Sequence, residues 1–143
     1  MVKTLFISLF LMISGAIYAQ SPVGVWKTID DETGKAKSHV EIFEKNGKLY
    51  GKVIKILTVG KENAKCTDCK GDLKNKPIVG MQILNNLKKD GNEWSGGTIL
   101  DPNSGKEYKA KMSLNSKDKN KLDVRGYIGI SLVGRTQTWE RVK

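Results

Sequence analysis

The chain has 143 residues, of which 25 are Lys or Arg and 15 are Asp or Glu, so its formal net charge is +10. This length suits a single domain and excludes a multidomain enzyme. Hydrophobic residues at 38% and charged residues at 28%, with 15 Gly and 3 Pro, exclude a disordered or collagen-like chain and predict a folded domain with an apolar core.

The first nineteen residues have the pattern of a secretory signal. A positive start at Lys3 precedes an uncharged, mostly apolar run over 4–18, and Ala19 ends that run before polar residues. A retained membrane anchor is the alternative, but the run is shorter than the about 20 apolar residues that a spanning helix needs. We therefore expect 1–19 to be a cleaved signal peptide and 20–143 to be one periplasmic or secreted domain, with no later transmembrane segment.

Three predicted strands come first in the mature chain. Alternating apolar residues predict strands over 24–29, 38–44 and 49–57. The segment 30–34 is rich in turn residues, and Asn46-Gly47 is a strong signal for a tight hairpin. Consecutive antiparallel pairing of these strands follows.

A polar loop over 61–76 carries both cysteines of the chain, Cys66 and Cys69. In an oxidising compartment two nearby cysteines most simply form a structural disulfide, and closing so small a loop contributes about 2 kcal/mol. A redox-active pair is an alternative with the right spacing, but the strand–helix context is missing. A zinc site is a further alternative, although His39 is the only histidine available.

The second half of the chain predicts five more strands. The segment 78–87 has both strand and helix periodicity, and we take it as a strand. Further strands are predicted over 94–100, 107–114, 122–128 and 134–142. The clearest alternation places Tyr108, Ala110, Met112 and Leu114 on one face and Lys109, Lys111 and Ser113 on the other.

Eight short strands joined mostly by tight turns predict an all-β fold, an antiparallel up-and-down eight-stranded barrel. Closure of the meander would remove its two edges, and a β-sandwich is the alternative. Gly24-x-Trp26 and the late Arg135 and Arg141 resemble the lipocalin (calycin) pattern, in which an Arg of the last strand packs on the Trp of the first.

A second resemblance covers nearly all of the mature chain. Its landmarks are Gly24-x-Trp26, Gly47-Lys48-Leu49-Tyr50-Gly51-Lys52, Cys66-Thr67-Asp68-Cys69-Lys70-Gly71, Lys76-Pro77-Ile78-Val79-Gly80-Met81, Trp94-Ser95-Gly96-Gly97, Leu100-Asp101-Pro102, Arg125-Gly126-Tyr127-Ile128-Gly129 and Gly134-Arg135-Thr136-Gln137-Thr138-Trp139. The set resembles the exported bacterial domain of unknown function 2147 family. The resemblance implies a small periplasmic or secreted domain of Gram-negative bacteria, and that family has no established activity to carry over.

Patterns that could carry catalysis or bind a metal have simpler interpretations. Ser131 is one residue away from nucleophile-elbow spacing and lacks the strand–turn–helix setting. The segment 101–107 loosely resembles a calcium loop, but a hairpin turn explains it. His39 shares a strand face with Glu41 without a third partner, which favours a surface histidine. We predict no enzymatic activity, no cofactor and no metal.

The basic charge comes mainly from lysine, because only three residues are Arg. Recognition of phosphate or base edges favours the planar guanidinium, so nucleic-acid binding is not expected. The charge instead indicates solubility and a weak attraction to anionic envelope surfaces, concentrated in the loop 61–76. Five lysines lie in that loop: Lys61, Lys65, Lys70, Lys74 and Lys76.

Two functions remain from the sequence. The first is a non-enzymatic binding barrel of the cell envelope for a small apolar or amphipathic ligand, because small-molecule pockets combine apolar walls with a few polar groups. The alternative is a structural or interaction domain with a filled core, which acts through the disulfide-pinned loop 61–76; its protein partners are not indicated. The candidate ligand-binding residues are Trp94, Tyr108, Met112, Arg125, Tyr127, Arg135 and Trp139.

Overall fold

A computed structural model describes residues 20–130 and 132–143, which form eight β-strands and one short 3-10 helix, η1 (Gly71–Leu73). The predicted signal peptide and Ser131 lie outside the described residues. No helix within these ranges is long and apolar enough to cross a membrane. The strands are β1 (Gly24–Ile29), β2 (Ala36–Lys45), β3 (Lys48–Ile56), β4 (Gln82–Asp90), β5 (Glu93–Asp101), β6 (Lys106–Leu114), β7 (Lys121–Tyr127) and β8 (Gly134–Arg141).

The strands form a closed antiparallel barrel in sequence order, which confirms the predicted barrel over the sandwich. Closure joins β1 to β8, where Trp26 pairs with Arg141. The amide of Val25 donates a hydrogen bond to the carbonyl of Lys143 at 2.7 Å, so the pairing continues beyond the end of β8. The first and last strands therefore leave no open sheet edge between them.

The strand register identifies the inner face of the barrel. Residues directly opposite each other on paired strands share a face. Around the circuit, such pairs connect a set of mostly buried residues: Trp26, Val40, Val53, Leu84, Ala110, Met112, Val124, Leu122 and Trp139. This buried set is the core, and the clear alternation predicted for β6 is confirmed by the burial of Ala110 and Met112 on its inner face.

The two ends of the barrel differ. The up-and-down topology places the β1–β2, β3–β4, β5–β6 and β7–β8 connections at one end, which we call the loop end. The opposite end, which we call the terminal end, holds the start of β1 and the end of β8. There Trp26 Nε1 donates to the carbonyl of Pro22 at 2.7 Å, and Pro22 is fully buried. The segment before β1 thus packs against Trp26 at the terminal end.

The long β3–β4 connection, 57–81, packs on the barrel. Leu100 lies on the outer face, because it pairs with Glu107, yet it is only 7% exposed. Close by, a Cβ on Gly105 would lie 2.0 Å from the carbonyl oxygen of Asp68, so the connection rests against the β5–β6 turn. We infer that the connection covers the outer wall at this point.

The predicted start of the fourth strand is wrong by four residues. The amide of Ile78 bonds to the carbonyl of Ala64, and the amide of Met81 bonds back to Ile78. Gly80 has a φ of 91°, a left-handed conformation that favours glycine. These contacts make 78–81 a turn of the long connection, and β4 begins only at Gln82.

Candidate functional site

The inner face at the loop end remains accessible and is the candidate site. Register places Ser38 opposite both Thr28 and Ile56, and Ile99 opposite Tyr108. Except for the buried Thr28, these side chains are half-buried, whereas most inner-face residues towards the terminal end are buried, with Trp94 and Leu114 as half-buried exceptions. We call Thr28, Ser38, Ile56, Ile99 and Tyr108 the mouth residues.

The mouth residues combine apolar surface with three hydroxyl groups, two of which lie side by side. The Oγ1 atom of Thr28 and the Oγ atom of Ser38 are 2.8 Å apart and share a hydrogen bond. Ile56 and Ile99 pack against the core, and Tyr108 lies next to Gly126. This arrangement presents an apolar wall with a small polar spot, which suits an apolar or amphipathic molecule.

A cleft of about 500 Å³ opens at the loop end between the β1–β2 turn and the start of the long connection. None of the mouth residues lines this cleft, so it lies beside the mouth on the surface of the loop end. Its lining mixes aliphatic and charged side chains. The lining residues are Asp30, Thr33, Lys35, Ala36, Lys37, Leu57, Thr58 and Val59.

Arg135 fixes the edge of this region. It follows the β7–β8 connection, and its Nη2 atom lies 2.6 Å from Asp31 and 3.2 Å from Glu32 of the β1–β2 turn. The hydrogen bond to Asp31 and the nearby acidic charges raise the pKa of Arg135 above its ordinary value. Because two carboxylates already engage its guanidinium, Arg135 holds the two connections together and its charge is largely compensated.

The structure divides the seven sequence-predicted ligand-binding residues into three groups. Tyr108 and Arg135 lie at the loop end of the inner face. Met112 and Trp139 are each 2% exposed within the core, and Trp94 is half-buried near the terminal end with Lys89 Nζ at 6.0 Å from its ring centre.

The third group, Arg125 and Tyr127, lies on the outer face. Arg125 pairs with Thr136 and donates a hydrogen bond to its hydroxyl at 2.9 Å, while Arg135 pairs with Gly126. Successive residues of a strand point to opposite faces. Arg125 and Arg135, which were both predicted to bind the ligand, therefore lie on opposite faces, because their positions in the register differ by one residue.

Cys66 and Cys69 form the predicted disulfide, and both are buried. Among the described residues, no group of three or more His, Cys, Asp or Glu side chains is arranged to hold a metal ion. His39 is half-buried on the outer face, opposite Lys27 and Lys55. Burial first, and then these two cations, lower the pKa of His39 below its ordinary value.

Residues 24–141 match the family described as "Uncharacterized protein conserved in bacteria (DUF2147)". The chain belongs to this family. No curated protein matches the chain in sequence. A solved structure resembles this DUF2147 protein over most of its length: protein HP1028 from the human pathogen Helicobacter pylori, described as belonging to the lipocalin family. The TM-score is 0.74 at 27% sequence identity, and the match covers 86% of this chain and 84% of the other.

The lipocalin-like pattern expected from Gly24-x-Trp26 is present in this DUF2147 barrel. The Arg141 guanidinium carbon lies 4.3 Å from the centre of the Trp26 ring. Gly24 is required beside this contact, because a Cβ there would lie 2.7 Å from the carbonyl oxygen of Lys143. The fold is therefore a closed eight-stranded lipocalin-like barrel.

Sequence reasoning missed four of the five mouth residues. Thr28, Ser38, Ile56 and Ile99 lie in segments that were predicted as strands, but strand prediction alone does not say which face is the inner one. The sequence does contain a usable signal: if Trp26 points inwards, Thr28 must point inwards too, because every second residue of a strand lies on the same face. Applying this two-residue period to each predicted strand would have identified the mouth residues.

Proposed function

We propose that this DUF2147 protein is an exported, non-enzymatic binding protein that takes a small apolar or amphipathic ligand through the loop end of its barrel. The observation that carries the proposal is the difference between the two ends. The segment around Pro22 packs on Trp26 at the terminal end, where most inner-face residues are buried, while apolar and hydroxyl side chains at the loop end stay accessible. The description of the Helicobacter pylori neighbour as a lipocalin supports the same reading.

The ligand would lie with its apolar part against Ile56, Ile99 and Tyr108. Its polar end would meet the hydroxyls of Thr28 and Ser38, which form one hydrogen bond with each other and have further bonding capacity. Arg135 contributes by holding the β1–β2 turn in place, since Asp31 and Glu32 already occupy its guanidinium. A ligand with an uncharged polar end is favoured over an anionic one.

Export is part of the proposal. The signal pattern over 1–19 and a disulfide at Cys66 and Cys69 are both typical of a protein that folds outside the cytoplasm. Cell fractionation followed by N-terminal sequencing tests this directly. The expected result is a periplasmic or secreted protein that begins at Gln20.

Binding is tested by titration with an apolar fluorescent probe such as N-phenyl-1-naphthylamine. The sharpest comparison is between Tyr108→Ala and Tyr127→Ala, because both tyrosines are half-buried near the loop end but only Tyr108 lies on the inner face. We expect saturable binding that weakens about tenfold in Tyr108→Ala, equivalent to about 1.4 kcal/mol, and is unchanged in Tyr127→Ala.

Native mass spectrometry of protein purified from its own envelope supplies an independent readout, with a retained small molecule as the expected result. The proposal is overturned if no saturable probe binding occurs. It is also overturned if both tyrosine variants weaken binding equally, because the inner face would then have no special role.

The second candidate is an interaction domain that acts through the lysine-rich loop 61–76. All five lysines of this loop are exposed, and none of the ion pairs between described residues involves them. Crosslinking in the envelope with and without residues 68–75 tests it. Recovery of the same partners after deletion would remove this candidate.

A further inference from the structure

The β7–β8 connection exposes an unusual amount of apolar surface. Ile128 and Val133 are 66% and 61% exposed, and Ile130 and Leu132 between them are 63% and 84% exposed. Tight turns of a soluble barrel are normally polar, and single exposed apolar residues need no explanation. Four within six positions form a patch, which we call the apolar tip (Ile128, Ile130, Leu132 and Val133).

The apolar tip is held in position by the strands beneath it. Tyr127 pairs with Gly134 at its base, and the amide of Ile128 donates to the carbonyl of Val133 at 3.1 Å. Arg135 ties the same base to Asp31 of the neighbouring turn. The tip therefore projects from a fixed base at the loop end of the barrel.

The charge at the loop end is mixed: the β1–β2 turn beside the tip carries three acidic residues, two of which pair with Arg135, and the long connection carries the positive charge. The long connection 57–81 emerges at the same end and carries five exposed lysines against three acidic residues. It also exposes Val59 by 92%, beside those lysines. Without Lys3, the described part of the chain keeps a formal charge of +9. Apolar side chains on a cationic surface are the combination that binds the interface of an anionic bilayer.

We propose that the loop end docks on an anionic lipid membrane, with the apolar tip inserted at the boundary between headgroups and acyl chains. The lysines of the long connection would face the lipid headgroups around it. A second copy of this chain fits the tip less well, because the four side chains of one projecting turn bury far less than the about 800 Å² per partner of a stable interface. This docking is independent of whether the barrel interior takes a ligand.

The test is vesicle cosedimentation of the purified protein with phosphatidylcholine vesicles, with and without phosphatidylglycerol. The double variant Ile130→Ser/Leu132→Ser removes the two central side chains of the tip. The matched control is Val23→Ser/Val142→Ser, because these valines are 41% and 44% exposed at the terminal end. Melting temperatures verify that all proteins fold, and size-exclusion chromatography with light scattering reports their oligomeric state.

We expect the wild type to bind the anionic vesicles with an affinity that falls as salt is added. The affinity of the tip variant should be about tenfold lower than that of the wild type, and the affinity of the control variant should be unchanged. In addition, Leu132→Trp should give a blue shift on anionic vesicles beyond that of the wild type, since Trp26 and Trp139 are buried and the half-buried Trp94 lies towards the terminal end. The proposal is overturned by absence of vesicle binding, by equal binding of the tip variant, or by binding indifferent to phosphatidylglycerol and salt. A dimer that the tip variant abolishes, without vesicle binding, would assign the tip to a second copy and equally overturn it.

Discussion

Arg141 stacks on Trp26, with 4.3 Å between the guanidinium carbon and the ring centre, and this contact joins the last strand of the barrel to the first. The same guanidinium donates hydrogen bonds to the carbonyls of Ser21 at 2.9 Å and Val23 at 3.2 Å. One side chain thus connects strand closure with the segment that covers the terminal end. Burial lowers the pKa of Arg141, but an arginine remains protonated.

Replacing Arg141 by Ala should lower the free energy of unfolding by about 2 kcal/mol, since it removes a cation–π contact and two charge-assisted hydrogen bonds. The free energy of unfolding of Arg141→Lys should lie between those of the wild type and Arg141→Ala, because lysine keeps a cation near Trp26 but lacks the planar guanidinium. Urea denaturation measures both. A loss in Arg141→Ala within the about 0.5 kcal/mol typical of surface substitutions would contradict this role.

Much of the fold could be predicted because the barrel rests on local patterns. The first strand is predicted with its correct first and last residues, Gly24 and Ile29, and Asn46-Gly47 correctly predicts the β2–β3 hairpin. The fourth strand was misplaced because Ile78, Val79 and Met81 are as apolar as a strand. Instead, the amide of Ile78 bonds to the carbonyl of Ala64 and the chain turns at Gly80, and contacts between residues distant in sequence produce no periodic pattern in it.

Gly105 should be essential for seating the long connection. A Cβ there would lie 2.0 Å from the carbonyl oxygen of Asp68, in addition to the cost of a φ of 71°. Gly34 is the matched control, since its φ is also 71° but nothing lies within 4 Å of its Cβ position. Gly34→Ala should cost about 1–2 kcal/mol for the backbone alone, and Gly105→Ala more.

Urea denaturation and the rate of disulfide opening by a reductant measure the effect at Gly105. Because Cys66 and Cys69 are buried where the connection rests on the barrel, Gly105→Ala should speed reduction while Gly34→Ala leaves it unchanged. Equal stability and equal reduction rates in the two variants would show that the connection is not seated through Gly105.

Removal of the disulfide should weaken the fold without abolishing it. Cys66→Ser/Cys69→Ser is expected to cost about 2 kcal/mol, because the closed loop is short and the barrel hydrogen bonds do not depend on it. Circular dichroism should retain the β-sheet spectrum, and denaturation gives the loss. Collapse of the sheet signal in this variant would mean that the bridge supports the barrel itself.

His39 should make stability depend on pH near neutrality. Its pKa in the folded state lies below the model-peptide value of 6.5, owing to burial and to Lys55 and Lys27. The unfolded chain therefore takes up the proton first as the pH falls, so stability declines below about pH 6.5 and levels off below the folded pKa. His39→Gln should flatten this decline, which denaturation across pH 5–8 measures.

The effect is separable from that of Asp30, whose pKa is lowered from 3.8 mainly by hydrogen bonds from the amides of Thr33 and Glu32. Asp30 therefore contributes only at more acid pH. A wild-type profile that overlays that of His39→Gln between pH 5 and 8 would contradict the assignment to His39.

The site was harder to predict than the fold, because a site depends on which face each residue occupies. Arg125 and Arg135 are equivalent in the sequence pattern, yet a one-residue difference in register puts them on opposite sides of the wall. Likewise Met112 and Trp139 are inner-face residues, as expected, but they lie in the packed part of the core. Met112 and Trp139 differ from Tyr108 in their depth along the barrel. That depth depends on how strands that are distant in sequence pair to close the barrel.

The central claim is that the inner face at the loop end receives the ligand. Nuclear Overhauser effects between a bound apolar probe and assigned side chains test it most directly. We predict contacts from the probe to the Tyr108 ring and to the methyl groups of Ile56 and Ile99. Contacts to Tyr127 on the outer wall instead, or no contact with any inner-face residue, would contradict the claim.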